Sequence, residues 1–154
     1  MSHDAEHTPV ACIRAWHALR EMHDRVSRQI EAALAACCAL SSTELRALAV
    51  IQEHGVGGIR LTSLCQHTDL SQPAVSRLVE RLEERGLIER HIDDLDRRSV
   101  LLRLSGEGET LTRRASEVHA TTVSDALGTL LASEDQQRLL EALQPPSNSH
   151  NSNL

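Results

Sequence analysis

LSQPAVSRLVERLEERGLIER, residues 70–90, contains a helix whose two arcs differ in chemistry. At about 100° per residue, Val75, Leu78, Val79 and Leu82 share one arc, and Gln72, Pro73, Ser76, Arg77, Glu80 and Arg81 share the other. Ser71 stands at the N-cap, where its side chain can serve the first free N–H groups. Pro73 is tolerated because first-turn N–H groups have no partner inside the helix. Gly86 ends the helix after Arg85. Along the polar arc, short hydrogen-bonding side chains come first and long cationic ones come later. An ordinary surface helix needs no such gradient. A helix entering the major groove of DNA does, because its leading turn meets base edges while later arginines reach flanking phosphates.

A solvated face on which Arg77 and Arg81 pair with glutamates one turn away is the plainer alternative. The residues after Gly86 weigh against it. LIERHI (87–92) and SVLLRL (99–104) read as strands, with Val100, Leu102 and Leu104 on one face. DDLDRR (93–98) between them is too long for a two-residue hairpin and too polar for a core, so it projects as a loop with Arg97 and Arg98 at its tip. An arginine on such a tip suits the minor groove, where the potential is most negative. Asp96 is placed to orient a guanidinium by a charge-assisted bond.

Apolar residues at three- and four-residue steps (Ile13, Trp16, Leu19, then Val26, Ile30, Leu34) give a first helix from about Val10 to Cys37. LSSTELRALAVIQEHG (40–55) gives a second, with Ser41 and Glu44 at capping-box spacing and Gly55 as its stop. VGGIRL (56–61) is a turn leading into a short extended piece. TSLCQHTD (62–69) is a short helix with Leu64 and Cys65 inward, and Leu70–Ser71 is a turn. Helix, short helix, turn, longer helix, strand, loop, strand is the winged helix-turn-helix order. The expected fold is therefore mainly α. SGEGETL (105–111) opens a long helix to about Leu131, with Ala115, Ala120, Ala126 and Gly128 suited to close helix packing. Ser133 and Gln136 cap a last helix ending near Leu143, and a polar, disordered tail is expected beyond it. The expected domains are an N-terminal helix (1–39), the winged domain (40–104), C-terminal helices (105–144) and the tail (145–154).

All sixteen basic residues are arginine, and the net charge is −6. Seven arginines and seven acids lie between Ser71 and Leu104, so that segment is neutral and the whole −6 lies outside it. The acidic total thus does not exclude a polyanion partner. With Trp16 as the only aromatic residue, stacking platforms for single-stranded nucleic acid are excluded. No nucleophile–base motif, phosphate loop or metal signature points to an enzyme. No apolar run approaches the roughly 20 residues that span a bilayer, and the first ten residues have no signal-peptide character, so the cytoplasm is the expected location. None of the nine histidines forms an HxxxH or HExxH pair on one helix face, since His3 and His7 precede the first helix, and no cofactor or metal is expected.

Residues 40–108 resemble the MarR family of bacterial transcription regulators. The resemblance rests on LSSTELRAL, the helix at 70–90, and DDLDRRSVLLRLSGEG with its Asp-x-Arg (Asp96, Arg98) and its Leu-Ser-x-x-Gly helix start. ALGTLLASEDQQRLLEAL (126–143) is similar to the family's ending, in which the last helices join the first in a dimer interface. The resemblance implies an obligate homodimer, a pseudo-palindromic duplex operator, and repression relieved by a small phenolic or oxidant signal. It places Gln72, Ser76 and Arg77 in the major groove, and Arg98, supported by Asp96, in the minor groove. The terminal helices carry apolar stripes that a small winged domain cannot cover, which agrees with a dimer.

Two switches fit that fold: a small molecule wedged between the winged domain and the dimer helices, or oxidation of Cys12. The region of Cys12 resembles the one in which organic-hydroperoxide sensors of the family carry their reactive thiol, but those sensors bond the thiolate with tyrosines and this chain has none. Ala15 and Trp16, not a cation, stand one turn away, so a thiolate lacks the neighbour it needs. The plainer reading of Cys12 is a small buried residue at a dimer seam. Cys37, Cys38 and Cys65 read as packing residues. A small-molecule effector is favoured over redox control. A winged helix that binds protein instead of DNA is the other alternative, and it requires an apolar or acidic outer face on the 72–81 helix.

Overall fold

The computed structural model describes residues 9–93 and 99–131. The wing tip, with Asp96, Arg97 and Arg98, lies outside the described residues, as do the helix read over 133–143 and the tail. The elements run α1 (Pro9–Cys38), α2 (Ser42–Glu53), a single 3-10 turn (Gly55–Gly57), β1 (Ile59–Arg60), α3 (Leu61–Thr68), α4 (Gln72–Glu84), β2 (Ile88–Ile92), β3 (Val100–Leu104) and α5 (Gly106–Leu131).

Local chemistry sets most of the boundaries. Ser41 and Glu44 form the capping box at the start of α2, with the Glu44 carboxylate accepting from the Ser41 N–H at 2.8 Å and the Ser41 hydroxyl accepting from the Glu44 N–H at 3.2 Å. Gly55, at φ +52°, turns the chain out of α2. The end of α1 is less ordinary. Ala39 takes the left-handed conformation (φ +51°), and its N–H bonds the Ala35 carbonyl at 3.2 Å, an αL stop built on a residue with a Cβ. Asp69, at φ +54°, ends α3 in the same way, a conformation Asp tolerates.

Ser71 is the N-cap of α4, as its position predicts, but its hydroxyl makes no capping bond. Pro73 at the second helical position has no N–H to offer, and the Ala74 and Val75 N–H groups both bond the Ser71 carbonyl, at 2.9 and 3.0 Å. The hydroxyl is left for other partners.

The short extended piece after the 3-10 turn is a true strand. The sheet is antiparallel in the order β1-β3-β2, with Ile59 opposite Leu102, and Ile88 opposite Leu104 through Ile92 opposite Val100. On β3 the inward face fades towards the wing: Leu102 is buried, Leu104 half-buried and Val100 exposed.

The Leu-Ser-x-x-Gly start of α5 has a physical basis in these contacts. The Ser105 hydroxyl donates to the Gly86 carbonyl at 2.6 Å and accepts from the Gly108 N–H at 3.0 Å. Gly108 lies so close to the Leu87 carbonyl that a Cβ would run into it. One serine and one glycine thereby seat the helix on the turn between α4 and β2.

The described residues divide into two compact units, one within 30–122 and the other formed by 9–29 with 123–131. The first is wider than the 40–104 expected for the winged domain, because Leu34 and Cys38 of α1 and Ala115 of α5 join the core of Leu48, Ile51, Leu64, Val75, Leu78, Val79, Leu82 and Leu102. In the second unit, Ala15 and Ala126 are buried, whereas Val10, Ile13, Trp16, Leu19 and Leu127 are 45–60% exposed. Of the small residues read for close packing on α5, Ala115 and Ala126 are buried and Ala120 and Gly128 face outward.

Candidate nucleic-acid interface

The core dictates the face of α4. Val75, Leu78, Val79 and Leu82 are at most 2% exposed. Burying four such side chains fixes the rotation of the helix, at about 1.5–3 kcal/mol each. Gln72, Pro73, Arg77, Glu80 and Arg81 consequently face solvent, with Ser76 half-buried at the edge. Five of the residues read as the groove-facing set (Gln72, Pro73, Ser76, Arg77 and Arg81) thus lie on one outward arc, with Ser71 exposed at its head.

These side chains differ in their commitments. Ser76 donates to Glu80 at 3.3 Å. Arg81 donates to the Arg77 carbonyl at 3.4 Å and lies 4.0 Å from Glu44 of α2. Among the described residues, the Arg77 side chain has no ion-pair partner. The glutamate pairing imagined for both arginines therefore holds for neither as an i,i+4 contact.

Glu44 does more than cap α2. Its Oε1 lies 3.6 Å from Arg85 as well as 4.0 Å from Arg81, while Oε2 holds the Ser41 N–H and hydroxyl. One carboxylate thereby joins the start of α2 to the end of the outward-facing helix. At the other end of the interface, Arg60 of β1 pairs with Asp93 at 3.0 Å, and the Asp93 N–H bonds the Ser99 carbonyl at 3.0 Å, closing the base of the wing. Arg90 of β2 donates to Glu83 of α4 at 2.8 Å, so this arginine is occupied within the fold. Sequence reasoning missed these partners because each joins residues on different elements. Opposite charges at the ends of adjoining elements were the only signal.

The cysteines separate by environment. Cys38 is buried in the core and Cys65 is half-buried, in line with packing roles, whereas Cys37 is exposed. Cys12 is also exposed on this chain, beside the uncovered Ile13 and Trp16. A cavity of about 110 Å³ lies between the end of α2 and the β3–α5 junction, lined by Ile51, Gln52, Val56, Arg103, Leu104 and Glu109. The Nε of Arg103 is buried without a hydrogen-bond partner among the described residues.

Comparison with known proteins gives this arrangement a context. Residues 40–99 match the MarR family model. The crystal structure of AbsC, a MarR family transcriptional regulator from Streptomyces coelicolor, superposes with a TM-score of 0.68 at 27% identity, covering 85% of this chain and 88% of that one. The transcriptional repressor CouR, solved bound to a 23-mer DNA duplex, gives a TM-score of 0.66 at 27% identity, covering 82% and 87%. The uncharacterized HTH-type transcriptional regulator YhbI of Bacillus subtilis (strain 168) is 33% identical over 78 residues. That match spans about half the length of each protein, 51% in both cases.

Proposed function

We propose, since this chain belongs to the MarR family of winged helix-turn-helix transcriptional regulators, that it is a homodimer that binds a pseudo-palindromic duplex operator and represses transcription until a small molecule releases it. The family consists of regulators, not enzymes. The observation that carries DNA binding is the division of α4: four apolar residues fully committed to the core, and an exposed outer arc that bears Gln72 and an Arg77 without an ion-pair partner among the described residues. A protein-docking helix would present an apolar or acidic arc there instead. CouR, of similar fold, was solved on a DNA duplex, which supports the same partner for this chain.

In this mode α4 lies in the major groove with Gln72 and Ser76 at base edges and Arg77 and Arg81 towards phosphates. Ser71, whose hydroxyl is free of capping, and Pro73 sit at the groove-facing tip. The wing carries Arg97 and Arg98 towards the minor groove, with Asp96 orienting Arg98. Two copies are required because one α4 reads only a half-site. The uncovered Val10, Ile13, Trp16 and Leu19 of α1 and Leu127 of α5 support a dimer seam. A cytoplasmic location suits this role, and among the described residues no single helix is long and apolar enough to cross a membrane.

The effector is assigned by family likeness alone. Gel-shift titration with the promoter DNA around this protein's own reading frame tests the function. A retarded complex that survives excess random duplex supports it. Retardation lost equally to random and promoter competitor contradicts it.

A further inference from the structure

His54 follows α2 as its C-cap, and His67 lies in the last turn of α3. Although they belong to different helices, their rings meet edge to face, with centroids 6.0 Å apart and planes at 83°. Each Nδ1 lies 2.8 Å from a backbone carbonyl one turn back, that of Val50 for His54 and that of Ser63 for His67. A carbonyl oxygen only accepts. Nδ1 is therefore the protonated nitrogen in both rings, and Nε2 keeps its lone pair in each neutral imidazole. A hydrogen bond of this kind from the distal ring nitrogen is what fixes tautomer and orientation in metal-binding histidines. Both residues are exposed. Both also sit at helix C-termini, where outward carbonyls and the helix dipole favour a cation.

We propose that His54 and His67 form a two-histidine site for a divalent d-block ion, with Zn²⁺ as the reference ligand, that clips the end of α2 to the end of α3. Imidazole nitrogen suits zinc, nickel and copper. At a metal–nitrogen distance of about 2.0–2.1 Å, two imidazoles on one tetrahedral ion have centroids about 5 Å apart. The centroids thus need to close by about 1 Å, with each exposed ring turning its Nε2 towards the shared ion. No group of three or more metal-binding side chains occurs among the described residues, so the other coordination positions fall to water. The site departs from the sequence expectation of no metal, because helical spacing within one element cannot register a pair built from two elements.

Calorimetric titration of Zn²⁺ into the full chain, with thermal unfolding at increasing Zn²⁺, tests the site. Wild type should take up zinc with a melting temperature that climbs with metal concentration, as linkage requires. His54→Gln and His67→Gln should each weaken uptake at least about tenfold. His23→Gln, on α1, should leave it unchanged. Glutamine keeps the polarity of an exposed side chain, so metal-free circular dichroism of both variants should match wild type. Wild type without zinc uptake overturns the site. Uptake that is unchanged in either variant places binding at other histidines and also overturns it. None of these readouts depends on DNA binding.

Discussion

Gln72 and Arg77 share one exposed arc of α4, yet their chemistry assigns them different tasks. In the proposed binding mode, an amide near the leading turn pairs with a base edge in two ways, whereas a guanidinium further along the helix meets the phosphates. Gln72→Ala should narrow the gap between operator and random DNA by about 1–3 kcal/mol. Arg77→Ala should weaken both and lower the slope of log K against log salt by about 1 per subunit. Fluorescence anisotropy across a salt series separates the two, and an Arg77→Ala slope equal to wild type would remove the phosphate assignment. Cys12 belongs to this scale too. It is exposed on the single chain but has no cation one turn away, so added organic hydroperoxide should release wild type and Cys12→Ser from DNA to the same small extent. Release of wild type alone would make the thiol the switch.

At the scale of elements, what was legible came from local rules. The α2 capping box, the glycine stops and the two arcs of α4 each depend on residues within a few positions, and these appear in the fold as read. The misread details depend on partners elsewhere. Ser71 has the right identity for a cap, but Pro73 removes one of the N–H groups it would serve. β1 is two residues long and owes its strand character to β3, so its own sequence carries no strand pattern. Glu44 looks like a cap alone until α4 brings Arg81 and Arg85 beside it. Two substitutions probe the element boundaries. Ala39→Gly should stabilise the protein by about 1 kcal/mol, because it relieves a left-handed Cβ at the end of α1. Gly108→Ala should destabilise it by about 1–3 kcal/mol, the usual range for overpacking, because the new methyl meets the Leu87 carbonyl. Urea unfolding measures both. A destabilised Ala39→Gly would mean that the helix stop is not strained.

At the scale of the molecule, the whole acidic surplus lies outside the neutral 71–104 segment, so the part proposed to read the groove is spared the repulsion carried by the rest. Its second unit exposes an apolar stripe that includes Trp16, the only tryptophan. A dimer that covers this stripe should shift Trp16 emission to the red on dilution, as the indole returns to water. Ile13→Glu should produce monomers in sedimentation and lose operator affinity together, because the proposed mode requires two linked half-sites. Emission that is independent of concentration from wild-type monomer to dimer would move the seam off α1.

Two recognition helices working as a pair make the central claim, and selection of binding sites from a pool of random duplexes tests it most directly. Repeated rounds of capture by the full chain should enrich an inverted repeat whose half-site centres lie about one helical turn, roughly 34 Å, apart. The enriched duplex should bind two chains, and Gln72→Ala should bind it with reduced preference. Enrichment of a single, non-repeated half-site bound by one chain, or no enrichment at all, would contradict the paired mode.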